Sequence, residues 1–417
     1  MHRRFSVVVL SLLVLAASVG CQAAPASDAR PAVVAAFEQR LETSRAELPT
    51  IITAAEAAVA RVMKNPEALI NVPYGEQQAF AEEILNRAGG LANALPSIER
   101  RNQITRDDIA MVAIRSWEED SEKMLPLLKK QREQGWMIVL FASKAGAPDD
   151  LDVDYLIDNG APSGGIEHGR VNVTVNAVNG WLWVCEYTAA LTREGRYPGI
   201  LMSIFLEGNQ AHNRRLQRDN RKFLGETEAR IAAGELAGQY LEAMEDVIDD
   251  LSSPQLAAQV EHAATVMADH VKAGGTIKTA TCLHMLMSEI YKPDVRSPFE
   301  PFNGYYSSKE NFARHVGDGD ILLWWGYIGM STPYEDYGAA MRGTNGLLVS
   351  SYVPAADPAR NEPKGPAHID QQWSLPDSVV ELPFSPGFMA PASGIEQTLL
   401  FRMVDDAVAA KLEGSGG

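Results

Sequence analysis

The sequence predicts an α/β protein built from two tandem doubly wound αβα domains, in which helices cover both faces of a parallel sheet. Continuous apolar runs such as 109–114 and 136–142 alternate with segments of helical periodicity, which is the pattern of strands buried on both faces. The same order of runs returns in the second half. The length of 417 residues also favours two or three domains.

In the first half, apolar residues at helical spacing predict one or two helices over 34–64. The segments that follow are a strand at 68–72, a helix at 76–87, a strand at 109–114, a helix at 118–134, strands at 136–142 and 153–158, and a helix at 181–194.

The second half repeats this alternation after two helices at 238–251 and 255–272. It continues with a strand at 276–281, a helix at 283–291, a strand at 321–325, a helix at 334–341, strands at 346–352 and 379–384, and a last helix at 393–410. The segment 70–85 aligns without gaps on 276–291, which indicates an internal duplication. We expect domains over 34–225 and 236–412, joined by a charged helical stretch at 226–235.

The charge balance is acidic, with 37 Lys and Arg residues against 54 Asp and Glu residues, a net charge of −17 and a pI near 5.0. A nucleic-acid or anionic membrane surface needs a dense basic face, so the composition argues against both partners. With 46% hydrophobic residues, the chain has the composition of an ordinary globular protein.

The N-terminus has the pattern of a secretory signal peptide over 1–20, with Arg3 and Arg4 before an apolar run. The junction 18–21 resembles a bacterial lipobox, with Ser18 where Leu is usual, and predicts lipidation at Cys21. Simple secretion and an uncleaved anchor are the alternatives. We therefore expect an exported periplasmic or cell-envelope lipoprotein, attached to the membrane only through its lipid.

Cysteine and histidine patterns point to no metal site and no cofactor. After Cys21 only Cys185 and Cys282 remain, both in apolar surroundings, so buried thiols are expected rather than a disulfide framework. The eight histidines are scattered, without the spacing of metal ligands.

Three ordered motifs resemble the sugar isomerase (SIS) family. The first is GEQQAFAEEILNRAGGL at 75–91, the second is IDNGAP at 157–162, and the third is HNRRL at 212–216. The second half matches more weakly, through His284 and Glu289. The resemblance implies tandem SIS domains with flavodoxin-type parallel sheets, which pair as a pseudo-dimer within one chain, with homo-oligomers also possible.

What the resemblance implies for function is the binding of a phosphosugar-like carbohydrate derivative at the carboxyl ends of the strands, with possible aldose–ketose isomerisation by a carboxylate or histidine base. The implied catalytic residues are Glu83, His284, His212 and Glu289. The implied substrate-binding residues are Gly75, Glu76, Gln77, Gln78, Ser116, Trp117, Thr281, Tyr327, Ser331 and Thr332.

The chain departs from the family at the phosphate loops. Where the family has a hydroxyl-rich loop, residues 116–120 read SWEED, and the first loop has Glu76, Gln77 and Gln78 in place of His-Ser-His. Three carboxylates would repel a phosphate. A non-catalytic exported protein that binds a sugar or cell-wall fragment is therefore the alternative function. Each proposed acid or histidine also has an ordinary structural explanation, such as a helix-terminal charge or an ion pair.

Overall fold

The computed structural model describes residues 30–75, 77–96, 104–162, 166–204, 206–218, 225–281, 284–292, 294–302, 312, 314–329, 345–354, 365–374, 377–384 and 387–414. Glu76, Ser331, Thr332, Cys21, Cys282 and the expected helix at 334–341 lie outside these residues. Within them, no helix is long and apolar enough to cross a membrane, and no group of side chains could hold a metal ion.

The first half contains a parallel five-stranded sheet in the order β2-β1-β3-β4-β5. Its strands are β1 (Ile70–Asn71), β2 (Ala94–Leu95), β3 (Ile109–Ala113), β4 (Met137–Ala142) and β5 (Tyr155–Asp158). Its helices are α1 (Ala32–Ala46), α2 (Leu48–Lys64), α3 (Gln78–Ile84), α4 (Trp117–Glu133) and α5 (Ile166–Arg193). The central strands are wholly buried, as their apolar runs predict.

A short connection separates the two sheets. It contains the antiparallel strands β6 (Arg196–Tyr197) and β7 (Gly225–Glu226), with α6 (Asn209–Arg218) between them. The charged stretch 226–235 is not the helix that we expected, because after β7 the backbone stays irregular until α7 begins at Glu235.

The second half contains a parallel sheet in the order β9-β8-β10-β11-β12. Its strands are β8 (Ile277–Thr281), β9 (Phe299–Pro301), β10 (Ile321–Ile328), β11 (Leu347–Val353) and β12 (Ala367–Asp370). Its helices are α7 (Glu235–Leu251), α8 (Pro254–Lys272), α9 (Leu286–Glu289) and α10 (Ser393–Glu413). The apolar run near 379–384 forms a separate antiparallel hairpin of β13 (Ser378–Glu381) and β14 (Phe388–Pro391), rather than a strand of the sheet.

The two sheets have the same topology, which confirms the predicted fold class of two doubly wound α/β units. Both orders read second, first, third, fourth and fifth strand, as in flavodoxin-type folds. A local detail also repeats. Asp108 before β3 accepts from the backbone N–H of Thr105 at 2.8 Å, and Asp320 before β10 accepts from that of Gly317 at 2.9 Å. The internal repeat is therefore structural as well as a sequence pattern.

The long helix α5 begins fifteen residues before the expected start at Trp181. Three asparagines precede Trp181 in this helix, and they interrupt the apolar pattern from which the sequence would predict a buried helix. Their side chains donate to strand ends instead: Asn172 to the carbonyl of Arg115 at 2.7 Å, and Asn176 to that of Ile114 at 2.9 Å. Tertiary hydrogen bonds therefore allow these polar residues inside a buried helix.

Both halves contribute to one large hydrophobic core. It includes Trp181 and Trp183 of α5, Tyr240 of α7 and Phe401 of α10, all fully buried. Cys185 is also buried in this core, and burial raises the pKa of its thiol well above the usual range. The hairpin closes over the first half, where the Ala390 N–H donates to the Gly89 carbonyl at 3.3 Å. The halves thus meet along a continuous packed interface.

Candidate functional site

A crevice opens where the carboxyl ends of β1 and β8 face each other between the two halves. Each strand runs into a turn and then a short helix, α3 in the first half and α9 in the second, and these helices lie against each other. Ligands of open α/β sheets bind outside the carboxyl ends of the strands. The repeat therefore brings two such ends to one place.

Two adjoining cavities occupy this crevice. The first, of about 360 Å³, has as its polar lining Gly75, Gln78, Glu82, Thr281, Ser288 and Lys292. The second, of about 380 Å³, has Glu82, Arg87, Asn213, His284, Tyr327 and Asp377. Glu82 and Met287 line both cavities, so these two side chains mark the boundary between them.

His284 lies in the second cavity in an unusual backbone conformation. Its φ angle is 69°, in the left-handed region that non-glycine residues seldom adopt. The imidazole is buried and stacks on the Tyr327 ring, with the centroids 5.1 Å apart. Neither ring nitrogen has a hydrogen-bond partner among the described residues. Buried polar groups are normally hydrogen-bonded, so an imidazole without such partners in a cavity lining is a candidate for contact with a ligand.

Asp377 faces the same cavity as part of a buried polar network. Its Oδ2 accepts from Ser393 Oγ at 2.8 Å and from Arg87 Nη2 at 3.2 Å. The Tyr327 hydroxyl lies beside Asp377 and Ser393, and burial raises the pKa of this hydroxyl well above its usual range. Asp377 Oδ1 has no partner among the described residues. Arg87 thus compensates the charge of Asp377, while the second carboxylate oxygen stays buried without a partner among the described residues.

Glu82 stands at the boundary of the two cavities and links the halves. Its Oε1 accepts from Gln78 Nε2 at 2.7 Å, and its Oε2 accepts from Ser288 Oγ at 2.7 Å. Burial raises the pKa of the carboxyl, although both hydrogen bonds oppose the shift. The alignment of 70–85 on 276–291 pairs Glu82 with Ser288. The repeat therefore places these partners on equivalent helices.

Glu83, the first predicted catalytic acid, is fully buried beside the cavities rather than in their lining. Its carboxylate accepts from Trp181 Nε1 at 3.3 Å and pairs with Arg87 at 3.5 Å. Burial raises its pKa to about 7, with Arg87 opposing the shift. The first turn of α10 also packs on it, since a methyl group on Gly394 would lie 2.0 Å from Glu83 Oε2.

The other two predicted catalytic residues also lie outside the cavity linings. Glu289 is fully buried, and Arg402 of α10 donates to its Oε2 at 3.0 Å. His212 lies on α6, where its Nε2 is 3.0 Å from the carbonyl of Ile200. Of the four predicted catalytic residues, the structure brings only His284 to the crevice.

The predicted substrate-binding residues divide in the same way. Gly75, Gln78 and Thr281 line the first cavity and Tyr327 lines the second. Gln77 is buried between strand ends, where its Oε1 accepts from the Ala113 N–H at 2.5 Å. Trp117 donates to the carbonyl of Ser143 at 2.7 Å. These last two residues therefore have structural partners of their own.

The loop after β3 is closed by an internal carboxylate. Asp120 Oδ2 accepts from the backbone N–H groups of Arg115 at 2.9 Å and Ser116 at 3.1 Å. Ser116 is the N-cap of α4 and Glu118, Glu119 and Asp120 belong to its first turn. The acidic run that the sequence places in a phosphate loop is the first turn of a helix, and the N–H groups of Arg115 and Ser116 just before it are already used by Asp120.

Sequence reasoning missed Asp377, Arg87, Tyr74 and Ser288 as lining residues. Asp377 precedes the hairpin and reaches the cavity only through long-range packing, for which the sequence holds no local signal. Ser288 had a signal, since the internal alignment pairs it with Glu82.

Fold and site together define a two-unit, doubly wound α/β protein with a ligand-sized crevice between its repeats. No family model matches the chain, and no curated protein does. Among solved structures, it is similar to a candidate sugar-binding protein from Salmonella typhimurium LT2, at 13% identity and a TM-score of 0.48, over 90% of this chain and 99% of that one.

Two further solved structures are similar at lower identity. One is tagatose-6-phosphate ketose/aldose isomerase from Escherichia coli, at 11% identity and a TM-score of 0.45, over 93% of this chain and 97% of that one. The other is the C-terminal domain of glucosamine-fructose-6-phosphate aminotransferase from Francisella tularensis. It has 9% identity and a TM-score of 0.45, over 91% of this chain and 95% of that one. The fold assignment rests on the strand order of the two sheets.

Proposed function

We propose that this protein binds a carbohydrate derivative in the second cavity. The observation that carries the proposal is that two side chains in the lining of the second cavity, His284 and Asp377, have buried polar atoms without a hydrogen-bond partner among the described residues. Sugar hydroxyls donate and accept hydrogen bonds, so they suit a carboxylate oxygen and an imidazole together. The exposed ring of Tyr74 adds an aromatic face for a sugar ring, whereas the Tyr327 ring is buried and packs on His284 and Trp373.

The charges favour an unphosphorylated ligand. Arg87 is the guanidinium of the second cavity, and it is already paired with Asp377 and Glu83. Glu82 and Asp377 add two carboxylates to the same lining. In the loop after β3, Asp120 already takes the N–H groups of Arg115 and Ser116. A phosphate dianion would meet carboxylates without a free guanidinium, which disfavours its binding.

The test is calorimetric titration of the purified protein with glucose, galactose, glucosamine and N-acetylglucosamine, and with the 6-phosphates of these sugars. We expect an unphosphorylated sugar to bind. His284→Phe, which removes the ring nitrogens, and Asp377→Asn should each weaken binding by about tenfold. His262→Phe, at an exposed histidine far from the crevice, is the matched control. Tighter binding of the phosphates, or no binding of any sugar, would contradict the proposal.

A second candidate function is aldose–ketose isomerisation, favoured by the presence of His284 and the Glu82 carboxyl in one cavity. Proton transfer between C1 and C2 needs a base within hydrogen-bond reach of the substrate. Incubation with aldose and ketose phosphates in deuterated water would reveal exchange at C1 or C2. Exchange that His284→Ala abolishes supports this function, while sugar binding without exchange excludes it.

We also propose that the protein is exported and lipidated at Cys21, because residues 1–21 have the pattern of a signal peptide with a lipobox. Mass spectrometry of the protein from a bacterial host tests this. The expected mass lacks residues 1–20 and includes a lipid, and Cys21→Ser should remove the lipid. An intact N-terminus would overturn the proposal.

A further inference from the structure

The crevice is longer than one sugar ring requires. Each cavity is by itself near the lower limit of ligand pockets, which span roughly 300–1,000 Å³. Their linings share Glu82 and Met287, so a ligand that extends past these two side chains would contact both cavities. We propose that the two cavities are adjoining subsites for two linked, unphosphorylated sugar units, so that the ligand has at least the length of a disaccharide. This inference rests on the proposed function.

The first cavity has the chemistry of a sugar subsite. Its walls combine the apolar side chains of Met287 and Ile290 with the side chains of Thr281 and Lys292. Tyr291 lines the same cavity and is 53% exposed, one of the few large hydrophobic side chains in the described residues with such exposure. An exposed aromatic face over a polar floor is suited to stacking on a sugar ring.

A phosphate suits the first cavity less well than a sugar unit. The side-chain donors Gln78 Nε2 and Ser288 Oγ both donate to Glu82, so they are already used. The Glu82 carboxylate itself adds a negative charge to the cavity wall. Lys292 and Glu82 thus place one cation and one carboxylate in the same lining. A neutral unit with hydroxyl groups can donate to Glu82 and accept from Lys292, whereas a phosphate dianion can accept from Lys292 but is repelled by the Glu82 carboxylate.

The second subsite has its own aromatic side chain at the opening. Tyr74 is 45% exposed and lines the second cavity, where His284 and Asp377 have buried polar atoms without partners among the described residues. Glu82 lies between the two subsites, held by one bond from each half of the chain. The bond that joins the two sugar units would therefore cross beside Glu82 and Met287.

The experiment compares monosaccharides with their dimers by calorimetric titration of the purified protein. The probes are glucose with maltose and cellobiose, glucosamine with its β-1,4-linked dimer, and N-acetylglucosamine with diacetylchitobiose. We expect a dimer of the monosaccharide that binds to bind about tenfold tighter than the monosaccharide. Tyr291→Ala should remove this gain and leave the affinity for the monosaccharide within about twofold.

Phe388→Ala is the matched control, because Phe388 is an exposed aromatic residue that lines neither cavity. It should leave both affinities unchanged. Equal affinity for monosaccharide and dimers, or an equal effect of Tyr291→Ala on both, would overturn the two-subsite inference while leaving the proposed function intact. Absence of binding by any sugar would contradict the proposed function itself.

Discussion

The two halves share a strand order, but their equivalent buried acids pair with different arginines in different ion-pair networks. Glu83 in α3 and Glu289 in α9 occupy aligned positions, and both are fully buried. Glu83 shares Arg87 with Asp377, a residue of the other half. Glu289 pairs with Arg402 of its own half, which also reaches Asp294 at 3.5 Å. A repeated fold can therefore keep an acid and change the network that compensates it.

The largest expected effect comes from the two arginines. Arg402→Met leaves the buried carboxylate of Glu289 without its arginine, while Asp294 keeps Arg115 at 2.8 Å, and we expect a loss of about 3–5 kcal/mol in the free energy of unfolding. Arg87→Met should cost less, about 1–3 kcal/mol, because Asp377 keeps the Ser393 hydroxyl and Glu83 can bind a proton near neutral pH.

Urea denaturation at pH 7 measures both losses. Arg196→Met serves as the control, because its ion pair with Glu226 is exposed and should contribute less than about 1 kcal/mol. Equal losses for the two buried arginines would show that the halves compensate their acids in the same way.

The pH dependence of unfolding stability measures the contribution of Glu83 apart from that of Arg87 and Asp377. Burial raises its pKa to about 7 in the folded protein, whereas an unfolded carboxyl keeps the ordinary value of 4.5. The folded state therefore binds more protons between these pH values, and its stability falls as pH rises through 7. At about 1.4 kcal/mol per pH unit, the wild type loses about 3 kcal/mol through this group by pH 8.

Glu83→Gln should remove this loss, so that the variant gains stability relative to the wild type between pH 5 and pH 8. Thermal or urea unfolding across this range measures the difference. Glu122→Gln, at an exposed position of α4, should retain the slope of the wild type. A parallel pH profile for Glu83→Gln would show that Glu83 is ionised in the folded protein throughout this range.

How far the sequence could predict the molecule depends on the range of the interactions involved. The apolar runs of β3, β4 and β10 identify the sheets because burial on both faces leaves a continuous local pattern. His284, Thr281 and Gly75 lie at or just after the carboxyl ends of β8 and β1, the edge of each sheet where ligands bind, so the sequence could identify them. Glu83 and Asp377 show the limit, since packing between the halves buries one and brings the other to the cavity.

A smaller effect is expected where α10 packs on Glu83. Gly394→Ala would place a methyl group 2.0 Å from the Glu83 carboxylate, which is fixed by Trp181 and Arg87. We expect overpacking to cost about 1–3 kcal/mol of unfolding free energy. Gly238→Ala in α7 is the control of opposite sign, because nothing lies within 4 Å and the helix should gain about 0.5–1 kcal/mol. Equal gains would mean that α10 leaves room at Glu83.

The smallest effect tests the closed loop after β3 of the first half. Asp120→Ala removes the acceptor of the Arg115 and Ser116 N–H groups and should cost about 1 kcal/mol. Glu118→Ala, in the same first turn of α4 but exposed, should cost only a few tenths of a kcal/mol by comparison. Urea denaturation distinguishes the two. Because the carboxylate closes the loop by accepting both backbone donors, equal costs would mean that Asp120 acts only through the helix dipole, and the charge argument against a phosphate would weaken.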